Sequence, residues 1–174
     1  MNNLKPMIFL IPVIALVLAG ILYFYFLKQV VVKGVFKNLV FTMAAAAFLL
    51  NLIWEIVQMP LYKDGSYSLS HITFCALASV ADALMVVLIY LGVALIYKSP
   101  LWIKDLKWQQ VVLVILIGGV GAVLAEMRHL SLGSWAYSAL MPIVPVANVG
   151  VSPVLQFMFL PLLSYHLSRY FIKK

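Results

Sequence analysis

Five apolar runs, each about the length of a helix that crosses a lipid bilayer, take up most of this 174-residue chain. They lie at approximately Met7–Leu27, Leu39–Pro60, His71–Tyr97, Gln109–Met127 and Val151–Phe171. About 20 apolar residues suffice to cross the hydrocarbon layer. An open strand edge there leaves backbone donors and acceptors unsatisfied, so the runs are expected to be helices. With 66% hydrophobic and only 10% charged residues, a soluble globular domain is excluded. The expected fold class is all-α: a polytopic membrane helical bundle of about five transmembrane helices, forming one domain over residues 1–174.

The basic residues divide unevenly between the two ends of such a bundle. Lys28, Lys33, Lys37, Lys98, Lys104, Lys107, Arg169, Lys173 and Lys174 fall at one end, and Lys5, Lys63 and Arg128 at the other. The positive-inside rule then places the N-terminus outside and the C-terminus in the cytoplasm, as expected of a multi-pass protein of the cell (inner) membrane. The net charge of +7 therefore reports orientation, and no nucleic-acid partner is expected. The first run is too long for a signal-peptide core and reads as a retained span. Trp102, Trp108 and Trp135 fall near run ends, where interfacial aromatics are expected. Cys75 is the single cysteine, which excludes an internal disulfide and any Cys-Cys metal motif; it reads as a small buried hydrophobe.

Three of the five acidic residues, Glu55, Asp82 and Glu126, interrupt these apolar runs. A carboxylate at the centre of a bilayer costs about 2.5–3.5 kcal/mol on insertion scales, so each marks a functional site by default. Asn51, Glu55 and Gln58 are spaced i, i+4, i+7, one stripe of a helix. His71, Cys75 and Asp82, at i, i+4, i+11, form another, with Asp82 roughly 16 Å deeper than His71 at 1.5 Å per residue. Small residues around them permit close helix approach, as does Gly118-Gly119-Val120-Gly121-Ala122 in the fourth run. Glu126 and Arg128 are two apart and do not share a face, so a direct pair between them requires the helix to end there. Residues 130–150 are apolar yet rich in helix breakers, with Gly133, Pro142, Pro145 and Gly150, and read as a lid or re-entrant segment over the outer face. Turn chemistry at Lys63-Asp64-Gly65-Ser66 separates the second and third runs.

The set Trp54-Glu55-x-x-Gln58-x-Pro60-Leu61-Tyr62, His71-x3-Cys75-x6-Asp82, Glu126, Gly133-Ser134-Trp135-Ala136-Tyr137-Ser138-x-x-Met141-Pro142 and Ser152-Pro153-x-x-Gln156 resembles a family of small bacterial polytopic membrane proteins with no assigned activity. The resemblance implies that these positions matter. A glutamate ahead of Gly-x-Trp-x-Tyr and a proline-rich stretch is more loosely similar to motifs of membrane carotenoid hydratases and cyclases.

One functional reading is an enzyme whose outward cavity takes a lipophilic small molecule, a lipid or an isoprenoid, directly from the surrounding membrane lipids. Burial raises a carboxylic acid toward neutrality and a nearby cation keeps another ionised, which suits acid–base chemistry. Glu55 and Glu126 are then the acid–base pair, His71 a proton shuttle, and Asp82 the floor of the cavity. Asn51, Trp54, Gln58, Arg128, Trp135, Tyr137 and Gln156 are the candidate substrate-binding residues. A metal held by His71, Glu55 and Glu126 lacks a supporting HxxxH or ExxH pair, and the sequence specifies no cofactor. The alternative is a transporter, channel or ligand-binding subunit that uses Asp82 and Glu55 as a proton or cation path. The chain shows no internal repeat of the kind many carriers have, although a homo-oligomer would supply symmetry. A third reading is a structural subunit of a larger membrane complex.

Overall fold

A computed structural model describes residues 10–63 and 65–170. The expectations for Lys5, Asp64, Phe171, Lys173, Lys174 and the start of the first run lie outside the described residues. Five α-helices follow one another: α1 Leu10–Gln29, α2 Lys33–Gln58, α3 Leu69–Ile96, α4 Trp108–Ser131 and α5 Val151–Tyr170. The fold is all-α apart from a hairpin of two-residue strands, β1 Ile143–Val144 and β2 Val149–Gly150, paired Ile143 to Gly150 and Val144 to Val149. The segments at Ile11–Gln29, Lys33–Leu61, Leu69–Ile96 and Trp108–Ser131 are long and apolar enough to cross a membrane. Their unburied side chains include Leu16, Phe24, Phe41, Ile53, Val80, Leu116 and Leu124, an apolar surface of the kind that suits lipid.

The fifth run is a helix too, but it is not among those four. The reason is its place in the bundle: α5 packs chiefly on α2 and α4, and it turns Gln156, Ser164 and Ser168 inward, all buried. A helix face turned onto protein tolerates polar side chains that a face turned to lipid does not. The other helices also overrun the apolar runs. Helix α2 starts at Lys33 and α4 continues to Ser131, so charged and polar residues extend both helices beyond their apolar stretches. A 3₁₀ turn, Met59–Leu61, containing Pro60 follows the end of α2.

Helix α5 contains Pro161, which lacks an N–H and cannot donate to the carbonyl of Phe157 one turn back. That carbonyl lies against Gly118 of α4, where any Cβ would collide with it. Gly119 meets the flexible side chain of Met158, whereas Gly121 meets nothing within 4 Å. Close packing of α4 on α5 therefore rests on Gly118, and the smooth face expected from the glycine run is narrower than its sequence.

The two halves of the bundle differ in character. At the end carrying Lys28, Lys33, Lys37, Lys98, Lys104, Lys107 and Arg169, the basic end, the interior is an apolar core that includes Phe26, Phe36, Leu39, Met43, Val86, Tyr90 and Tyr165. Trp102 corrects an expectation: it is a buried core residue, stacked on Tyr90 at 5.7 Å between centroids, with Nε1 donating to the Tyr90 carbonyl at 3.2 Å. The Tyr90 hydroxyl in turn donates to the carbonyl of Pro100. Toward the opposite end the interior becomes polar.

Residues 132–150 fold back onto the 3₁₀ turn after α2. Lys63 N–H donates to the Ala136 carbonyl at 2.9 Å, Ser138 N–H to Leu61 at 2.9 Å, and Ser138 Oγ to Pro60 at 3.0 Å. These bonds form an isolated antiparallel bridge between Tyr62 and Tyr137. The helix breakers expected to keep this stretch irregular do so, at Gly133 with φ +65° and in the hairpin turn, where Asn148 has φ +53°.

Candidate functional site

Gln156, on the second turn of α5, is the hub of the polar interior. Its Nε2 donates to Asn51 Oδ1 at 2.9 Å, Glu55 Oε1 at 3.2 Å and Asp82 Oδ2 at 3.3 Å. Its Oε1 accepts from Gln58 Nε2 at 3.1 Å. Gln58 Nε2 also donates to Glu55 Oε1 at 2.8 Å, and Gln58 Oε1 accepts from Ser152 Oγ at 2.8 Å. Trp54 Nε1 donates to Ser152 Oγ at 3.2 Å, and Asn51 Nδ2 is committed to the Ala47 carbonyl at 2.7 Å. The helical stripe Asn51, Glu55, Gln58 thus faces α5, as its spacing requires. Asp82 is the fourteenth of the 28 residues of α3; Cα–Cβ bonds tilt toward a helix N-terminus, which leans its carboxylate toward Gln156.

The third carboxylate is built separately. Glu126, 7% exposed, accepts at Oε2 from Trp135 Nε1 at 3.2 Å and from the Tyr137 hydroxyl. Both donors come from the segment after α4. Tyr62 packs against the rings of Trp135 and Tyr137, at 6.4 Å and 5.6 Å between centroids; burial pushes its phenol well up, and the carboxylates of Glu126 and Glu55 add to this. Burial, together with the hydrogen bond to Glu126, pushes the Tyr137 phenol up as well. Both phenols therefore stay protonated as donors at neutral pH.

The structure brings together Asn51, Glu55, Gln58, Asp82 and Gln156, with Trp54 one bond away through Ser152, and it joins Trp135 and Tyr137 to Glu126. It separates His71 from these bonds. His71 Nδ1 faces the hydroxyls of Ser66 at 2.7 Å and Ser68 at 2.9 Å, where Ser68 caps α3. Arg128 lies on a helix that continues past it to Ser131, so it and Glu126 occupy different faces. Cys75 is buried, as a small hydrophobe would be. Among the described residues, no group of three or more His, Cys, Asp or Glu side chains is arranged to hold a metal ion.

Three participants were not singled out as site residues by sequence reasoning: Ser152, Tyr62 and His129. Ser152 lies four residues before Gln156 on one helix face, a legible signal. The ring of His129 stacks on Trp135 at 4.3 Å between centroids and 19° between planes, with Nδ1 3.3 Å from Ser134 Oγ. That partnership crosses a chain reversal and leaves no periodic trace.

Chemically, the network is rich in acceptors. Gln156 Nε2 has two hydrogens and meets three oxygens, two of them carboxylate, so donors are shared and an added proton or hydroxyl donor is readily accommodated. Beside it lies a cavity of about 730 Å³, within the range of small-molecule sites, lined by α1, α2 and α3, with Asp82 in its wall and His129 and Trp135 at one end. Comparison with protein-family models, curated proteins and solved structures returns no match to this chain.

Proposed function

We propose that the chain is an integral membrane protein carrying an acid–base site in the outer half of its bundle, and that it is an enzyme acting on a lipid or isoprenoid substrate. Four helices of sufficient length and hydropathy support the membrane reading. The gathering of Lys28, Lys33, Lys37, Lys98, Lys104, Lys107 and Arg169 at one end supports a cytoplasmic location for that end, with the site toward the outside. Glu126, held by Tyr137 and Trp135, is the proton-transfer group facing the substrate. Glu55 and Asp82, sharing the Gln156 amide, are its partners across the site. The Trp135–Tyr137 stretch, strapped to Leu61 and Lys63, serves as the lid.

The observation that carries an enzyme over a proton or cation path is the one-sidedness of the polar interior. A permeation path needs polar groups through both halves of the membrane. The basic half is filled by fully buried apolar and aromatic side chains. The hydroxyls of Thr42, Ser164 and Ser168 there are turned onto their own helix backbones, Thr42 to Asn38 at 2.8 Å, Ser164 to Leu160 at 2.7 Å and Ser168 to Tyr165 at 3.0 Å, and the buried phenols of Tyr90 and Tyr165 donate to the carbonyls of Pro100 and Val86. His166 is exposed beside Arg169 and Tyr170.

Lipid extracts of cells expressing the wild type or a folded Glu126→Gln variant, compared by mass spectrometry, test the reading. A species present only with the intact glutamate is the expected result. Identical extracts from both would overturn the enzymatic reading in favour of transport, to be measured in proteoliposomes.

A further inference from the structure

Helix α1 turns one face onto the bundle along its length, burying Ala15, Ala19, Phe26 and Val30, and leaves the other exposed. Ala19, Phe26 and Val30 are buried in the apolar core near the basic end. In its first half Val13, Leu16 and Val17 are exposed, and Pro12, Val13 and Leu16 form one wall of the 730 Å³ cavity. The facing wall runs along α3 from Phe74 to Val87, about 20 Å at the rise of a helix. The lining is aliphatic, aromatic or alanine except at Asp82 and at His129, stacked on Trp135 at the outer end.

We infer that this groove binds a linear, uncharged lipophile bearing one hydroxyl, which enters sideways from the surrounding lipid. The inference rests on the proposed lipid-acting site and names the form of its ligand. A wall of apolar side chains selects an apolar chain by the area it removes from water or from looser packing. Asp82 adds one acceptor partway along that wall, with Oδ2 already tied to Gln156. An acceptor in apolar surroundings calls for a donor on the ligand, and a neutral hydroxyl costs far less to desolvate there than an ammonium. The His129–Trp135 stack closes the outer end of the groove and joins it to Glu126 through the Trp135 Nε1 bond. A chain lying in the groove therefore spans both groups of carboxylates.

The test uses the full chain in lipid nanodiscs and a long-chain alcohol brominated on its tail, which quenches tryptophan fluorescence on contact. Quenching that saturates with added alcohol, and whose saturable part disappears in Trp135→Phe, is expected. Ala81→Phe, which fills the groove from α3, should weaken the saturable part about tenfold. Ala44→Phe fills it from α2 and serves if Ala81→Phe does not fold. Quenching that only rises linearly with alcohol, or a saturable part untouched by both fillings, overturns the inference. Lipid extracts indifferent to Glu126 would defeat the acid–base reading while saturable binding stands. Glu126-dependent extracts without saturable quenching would defeat the groove alone.

Discussion

Gln156 illustrates how a single neutral side chain holds an acidic cluster together. It is 1% exposed, and its amide is committed to Asn51, Glu55, Asp82 and Gln58, so it acts by positioning these groups. Replacing it with leucine keeps the volume roughly constant and strips a donor from three buried or half-buried oxygens. Leaving such groups unsatisfied costs about 1–3 kcal/mol. Gln156→Leu is accordingly expected to lower the thermal stability of the purified protein by that amount, while Gln156→Asn, shorter but still a donor, loses less. A melt in detergent checks both, and equal stability of Gln156→Leu and wild type would contradict the hub role. The spacing of Asn51, Glu55 and Gln58 already predicts a common face. That the face meets Gln156 in particular depends on a contact about 100 positions away in the chain, which no local period encodes.

At the scale of elements, the packing of α4 on α5 combines two residues that read separately as helix breakers. Pro161 frees the Phe157 carbonyl, and Gly118 is the position on α4 that can approach it. Forcing a side chain into a close-packed contact typically costs about 1–3 kcal/mol. Gly118→Leu should therefore destabilise the protein by at least that much, whereas Gly121→Leu, with open space around it, should be neutral or slightly stabilising through better helix propensity. Thermal melts of the two variants side by side decide the matter; equal losses would mean that the glycines act only through propensity. The sequence showed a glycine run and an interior proline, and four of the five helices carried their length and hydropathy openly. The polar share of α5 is explained only by the face it turns onto α2 and α4, where Gln156, Ser164 and Ser168 are buried.

For the molecule as a whole, the proposed orientation makes opposite predictions for two highly exposed positions. Val31, 98% exposed, lies between α1 and α2 at the basic end, and Val146, 95% exposed, lies in the hairpin turn at the site end. With the buried Cys75 replaced by alanine, Val146→Cys should react with a membrane-impermeant thiol reagent on intact cells. Val31→Cys should react only after permeabilisation. Labelling in the reverse pattern would invert the topology and turn the site toward the cytoplasm. What the sequence by itself determined is the class and the ends: long apolar runs in a chain this poor in charge must bury their backbone bonds in helices, and most of the lysines sort to one end of the bundle because successive helices alternate in direction. It also marked the carboxylates, since each interrupts a run that would otherwise be apolar. Only the tertiary structure decided which of them meet. Glu55 and Asp82 converge because α2 and α3 pack around a shared glutamine on α5. Glu126 has its own donors because the chain reverses after α4 and carries Trp135 and Tyr137 back over it. Periodicity records which face of a helix is polar, and the partner of that face is chosen by packing between elements far apart in the chain.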